Sequence, residues 1–102
     1  MSYIVTRTQT RPNTEVNWYT KAPFHTADYT NWLAENWINN GKLSLDFTLS
    51  EDLLTMTVTN TVLDEATWND LSSQQQHIDY QALKAAWNAE HGITQTTAYA
   101  TV

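Results

Sequence analysis

The feature that most constrains this chain is a run of two-residue alternation that reverses direction once. Over residues 42–50, Leu43, Leu45, Phe47 and Leu49 fall on one side, and Ser44, Asp46 and Thr48 on the other. After Ser50, Glu51 and Asp52 the pattern resumes, with Leu54, Met56, Val58 and Val62 alternating with Thr55, Thr57, Thr59 and Thr61. Successive side chains on a strand point to opposite faces, so this pattern predicts an antiparallel hairpin with one buried face and one polar face. A lone hairpin is marginal in water, and its apolar side needs a covering layer. Asn60 is the one break in that apolar side. An unpaired buried amide costs roughly 1 to 3 kcal/mol, so Asn60 either lines a pocket or sits at a bulge or strand end open to water.

The covering layer lies on either side of the hairpin in sequence. From Ala27, the spacing of Tyr29, Trp32, Leu33 and Trp37 follows one helical stripe, with Thr26 or Asp28 placed to cap its start. Asn39, Asn40 and Gly41 end it, because glycine closes a helix in the left-handed conformation without a Cβ penalty. Beyond the hairpin, Asp64 is placed to cap a short helix holding Ala66, Trp68 and Leu71. The polar run 72–77 interrupts it, and Asp79 restarts a longer helix that ends at His91 and Gly92. Residues 3–11 read as a first strand ended by Arg11, Pro12 and Asn13, and residues 93–102 as a last one. The order is strand, helix, strand, strand, helix, strand. With antiparallel pairing and right-handed crossovers, this predicts a ferredoxin-like α+β domain: a four-stranded antiparallel sheet with both helices on one face. Leu45, Phe47, Met56, Val58 and Trp32 are expected in one core.

At 102 residues the chain is expected to be one domain, and it has no cysteine, which removes disulfides, zinc knuckles and thiol nucleophiles. Eleven acidic residues against five scattered basic ones give a formal charge of −6, which argues against nucleic acid as a partner. No stretch approaches the ~20 apolar residues of a membrane span, and the first residues show no apolar signal core. The expected setting is the cytoplasm, or a virion if the source is viral.

His25, His77 and His91 are the side chains whose ordinary pKa lies near neutrality, and none has a convincing catalytic partner in sequence. His91 suits a helix C-terminus, where a cation is favoured by the dipole. Neither a catalytic pair, a metal site nor a cofactor motif is identified. Val16, Trp18, Tyr19 and Phe24 lie outside any regular element. They are expected either to form a docking surface, for a second copy or another protein, or to pack over the domain's own edge. Trp32, Trp37, Trp68 and Trp87 stand at helical spacings, as core anchors do. The polar sheet face carries no aromatic residues of the kind that stack on RNA bases.

The strand order and the split second helix, 64–72 then 78–91, resemble the dimeric α+β barrel superfamily that includes antibiotic-biosynthesis monooxygenase-like domains. The run Asp64, Glu65, Ala66, Thr67, Trp68 is similar to the acidic, aromatic start of the short helix there. The ending from Asn88 to Thr94 looks like small tailed-bacteriophage proteins. The aromatic segment after Pro12 departs from the short turn usual in the monooxygenase-like domains. Two functional readings follow. The leading one is a non-enzymatic interaction or structural module, with a homodimer or protein partner through Trp18 and its neighbours, consistent with a phage accessory or virion role. The alternative implied by the superfamily is a small-ligand-binding or cofactor-independent monooxygenase-like domain with Asn60, His77 and Trp68 at its pocket. A cavity of ~300 Å³ with convergent polar groups between sheet and helices separates the two.

Overall fold

The computed structural model describes residues 2–102. Strand β1 (Tyr3–Thr10) leads into a long connection containing a single 3₁₀ turn (Tyr19–Lys21). Helix α1 (Ala27–Leu33) follows and widens into a π-helical turn (Ala34–Ile38). Then come β2 (Leu43–Leu49), β3 (Thr55–Val62), α2 (Glu65–Ser72), α3 (Gln75–His91) and β4 (Thr94–Thr101). The strands form one antiparallel sheet in the order β2-β3-β1-β4, with the helices on one side.

Local chemistry sets the boundaries. Asp64 accepts from the Thr67 backbone N–H at 2.8 Å, capping α2. Gly41 and Gly92 take φ of 80° and 70°, the left-handed geometry that ends a helix. At the hairpin, Ser50 donates from its backbone to the Thr55 carbonyl, and the Asp52 carboxylate accepts from Ser50 Oγ and the Leu54 N–H. Those hydrogen bonds hold the Asp52 carboxyl below the usual carboxylate range. The polar run after α2 breaks the helix only briefly. Glutamines are adequate helix formers, and Gln75 donates to Asp79 one turn on at 2.7 Å, so α3 begins before His77 and carries that residue inward.

On the covered face, β1 presents Tyr3, Val5, Arg7 and Gln9 opposite Val62, Asn60, Val58 and Met56 of β3. The core has two parts. Val5, Leu33, Trp37, Leu43, Val62, Trp68 and Leu71 form one cluster, and Trp18, Tyr19, Met56, Val58, Tyr80 and Ile93 the other, with Leu45 and Tyr29 packed against both. The single core expected around Phe47 is therefore corrected. β2 is an edge strand, α1 and its π turn cover only its Leu43 end, and Phe47 remains 51% exposed. Trp32 is only partly buried.

Candidate functional site: a tyrosine and histidine cavity between sheet and helices

Where the two core clusters meet, the sheet offers polar side chains in place of apolar ones. Arg7 faces Val58 across β1 and β3, and Asn60 stands between Val5 and Leu45. Around this seam lies a cavity of about 250 Å³. Its walls combine Leu33, Leu43, Leu45 and Leu71 with Tyr19, Tyr29 and Tyr80, and its polar groups include Arg7, His25, Asn60, His77, Gln81 and Lys84. The volume falls just short of the expected ~300 Å³, a usual lower bound for ligand pockets, while the convergence of polar groups is present. Two other depressions are wider. One, about 700 Å³ along β2 by Gly41 and Leu63, has no histidine, tyrosine or arginine in its walls. The other, about 460 Å³ between α3 and β4, shares Arg7 and Lys84 and adds Asn88 and Gln95.

α3 supplies one wall through a stripe at helical spacing: His77, Tyr80, Gln81 and Lys84. Tyr80 stacks on Tyr29 of α1 with ring centroids 3.9 Å apart and planes 9° from parallel. Each of the two tyrosines meets a histidine: Tyr80 OH bonds with His25 Nδ1, and Tyr29 OH lies 3.3 Å from His77 Nδ1. Burial raises the phenols of Tyr19, Tyr29 and Tyr80 above their ordinary range, Tyr29 to about 12. Burial, helped by the charges of Arg7 and Lys84, pushes His77 down to about 4, so its imidazole is neutral at pH 7. Burial and then Arg7 push Lys84 down to about 7. Arg7 donates to Gln81 Oε1 at 3.1 Å and lies over the Trp68 ring at 5.4 Å. Lys84 lies over the Tyr19 ring at 5.0 Å. Desolvation lowers the pKa of Arg7 as well.

Asn60 is neither bulged nor at a strand end. It sits in regular register, 6% exposed, donating to the Val5 carbonyl at 3.0 Å with its side chain in the cavity wall. His77 lines the cavity too. Trp68 does not line it: it sits beneath Arg7 and edge-on to His77, at 6.0 Å between ring centroids, and so orients two groups that do. Trp18 and Tyr19 do not stand free. Trp18 is 8% exposed, with the Arg11 guanidinium 4.7 Å from its ring centroid, and Tyr19 is a cavity wall. Val16 and Phe24 are half-buried, Phe24 edge-on to Tyr80 at 5.5 Å, and Trp87 Nε1 donates to the Asn17 carbonyl at 3.0 Å. The segment thus packs over the second cluster, because its aromatics find partners on β3 and α3, and of residues 16–24 only Tyr19 and Thr20 reach the cavity wall. His91 stacks on Trp87 and bonds the Trp87 carbonyl at the end of α3.

Arg7, Tyr29, Tyr80 and Lys84 were missed as site residues. The signal for Arg7 was its parity with Val5 on β1. For Lys84 it was the four-residue step from Tyr80, which puts a cation on a buried stripe.

The architecture is the ferredoxin-like α+β fold, and its likeness to solved structures spans the whole domain. A Nitrosomonas europaea protein, described provisionally as an antibiotic biosynthesis monooxygenase, superposes with a TM-score of 0.60 at 13% identity, over 98% of this chain and 89% of that one. A dimeric ferredoxin-like protein from an uncultured marine organism gives 0.51 at 14% identity, covering 99% and 94%. A Mycobacterium tuberculosis protein gives 0.51 at 8%, covering 98% and 95%. At these identities the likeness establishes the fold. No protein-family model matches the sequence, and no curated protein matches it. Nothing in these likenesses points to a bacteriophage protein, so that resemblance carries no further argument. No helix among the described residues is long and apolar enough to cross a membrane.

Proposed function

We propose that this chain is a small-molecule-binding domain whose cavity holds a planar, largely apolar ligand on the scale of two fused rings. The observation that carries the reading is the cavity itself: aromatic and leucine walls with Arg7, Asn60, His77 and Lys84 converging on it. It takes the place of the interaction-module reading, whose carrier was a free aromatic surface at Trp18 and Tyr19, two residues buried within the chain. The test is thermal stability with naphthalene-scale compounds. The expected result is a rise in Tm for the wild type and none for Leu45→Trp, which fills the cavity. A cavity that shifts Tm with no such compound defeats the proposal.

A second reading, oxygenation of the bound ligand by dioxygen without a cofactor, is supported by Lys84 and by the description of the Nitrosomonas protein. Lys84 in the cavity wall, its pKa lowered to about 7, can take the proton of an acidic phenol or enol, the step that makes such a molecule reactive toward oxygen, whereas His77 at about 4 is too weak a base. Oxygen consumption with electron-rich phenols, abolished in Lys84→Met while phenol binding persists, is the expected result. Homodimerisation is the companion proposal. The sheet face bearing Thr6, Thr8, Thr57 and Thr59 has no helix over it, and the marine protein is described as dimeric. Light scattering at micromolar concentration tests it.

A further inference from the structure

The charge inside the cavity is opposite in sign to the charge of the molecule. The chain carries eleven acidic residues and five basic ones, yet the cavity wall includes Arg7 and Lys84 and not one aspartate or glutamate. Lys84 is 4% exposed and makes no hydrogen bond or ion pair with any described residue. Its one polar contact is with the face of Tyr19. A buried ammonium without a carboxylate is costly, and proteins that keep one leave its charge to be met by something outside the chain, or let it lose its proton. Arg7 is similarly underused: a guanidinium has five N–H donors, and among the described residues its side chain donates to Gln81 alone. Trp68 beneath it and Gln81 beside it hold that guanidinium in place.

Resting on the ligand-binding reading above, we propose that the cavity's ligand is an organic anion. Its planar apolar body packs against Tyr29, Leu45 and Val58, and its carboxylate or enolate oxygen is met by Lys84 and Arg7. The aromatic and leucine walls lower the local dielectric, which strengthens that pairing, and the cavity wall has no acidic side chain to compete as counter-ion. Asn60, with its amide committed to Val5, is placed to set the ligand's position without adding charge.

The experiment is calorimetric titration at a pH of about 6 with naphthoate and with naphthylmethanol, which share a ring system and differ in charge. Naphthoate is expected to bind about tenfold tighter or better. Lys84→Met should erase that preference and leave alcohol binding in place, while Lys84→Arg should retain it. Equal affinities for the two probes overturn the anion proposal and leave the pocket reading standing. Binding of neither overturns both. Naphthoate binding that survives Leu45→Trp places the anion in the cleft between α3 and β4 and likewise overturns the assignment.

Discussion

Replacing Lys84 by methionine is expected to make the unliganded protein more stable at neutral pH and to remove most of its pH dependence between neutrality and the tyrosine range. Lys84 has Arg7 of β1, Tyr19 of the 3₁₀ turn, Tyr29 of α1 and His77 and Tyr80 of its own helix around the same cavity, and none of these is an acid that could stabilise its charge. Its pKa falls from 10.5 to about 7, chiefly through burial, and that interval corresponds to on the order of 4 to 5 kcal/mol between the two protonation states. Between pH 7 and 10.5 the unfolded chain holds a proton that the folded chain has released, so stability rises with pH across that window. Below about pH 7 the full penalty is present, and above 10.5 it is gone. Urea unfolding followed by tryptophan fluorescence should show wild-type stability rising by about 3 kcal/mol between about pH 7 and 9.5. That is opposite to the trend that growing negative charge gives an already acidic chain. Lys84→Met should be nearly flat over that window and on the order of 3 kcal/mol more stable at pH 7. A flat wild-type profile, or a methionine variant that keeps the slope, would refute the reasoning.

Acid should act through His77: with its pKa lowered from 6.5 to about 4, stability should fall as pH drops through that interval, and His77→Phe should blunt the loss in the same unfolding assay. Leu71→Ala, at 1% exposure in the first cluster, should cost about 3 to 5 kcal/mol, whereas Phe47→Ala at the rim should cost about 1, both read by urea midpoints. Gln9 is fully buried with neither amide atom partnered among the described residues, so Gln9→Met should raise Tm by a few degrees. A lowered Tm would mean that an ordered water serves that amide.

The order of elements and their faces were legible because each rested on a periodicity or a cap that acts within a few residues. The hairpin register followed from alternation between Leu43 and Val62, and the start of α2 from one carboxylate at Asp64. The cavity was only half legible. Asn60 and His77 could be singled out, one as a polar intruder in an apolar run and the other as a titratable group. Whether Asn60 escaped to solvent depended on Val5 and Leu45, which approach it only through strand pairing. Lys84 and Arg7 read as scattered charges because their shared cavity is made by β1 and α3, far apart in sequence. The aromatic segment misled for the same reason. Trp18 and Tyr19 looked surplus to the helices' needs, while the second cluster that absorbs them is completed by Met56, Val58, Tyr80 and Ile93, none of which is near in the chain.

The strand order β2-β3-β1-β4 also governs how this molecule assembles in time. β2 and β3 are joined by a tight turn and can pair within microseconds, but β1 pairs with β3, 45 to 59 residues away, and with β4, farther still. Closing such long loops raises the entropic barrier, so folding belongs on the millisecond side of what small domains show. The first strand also carries Arg7, and α3, which follows the hairpin, carries His77, Tyr80 and Lys84. During synthesis, then, the binding site is completed late: a nascent chain that has made its hairpin already offers β1 its partner β3, with Arg7 and Asn60 in place, but has no cavity until α3 brings His77, Tyr80 and Lys84.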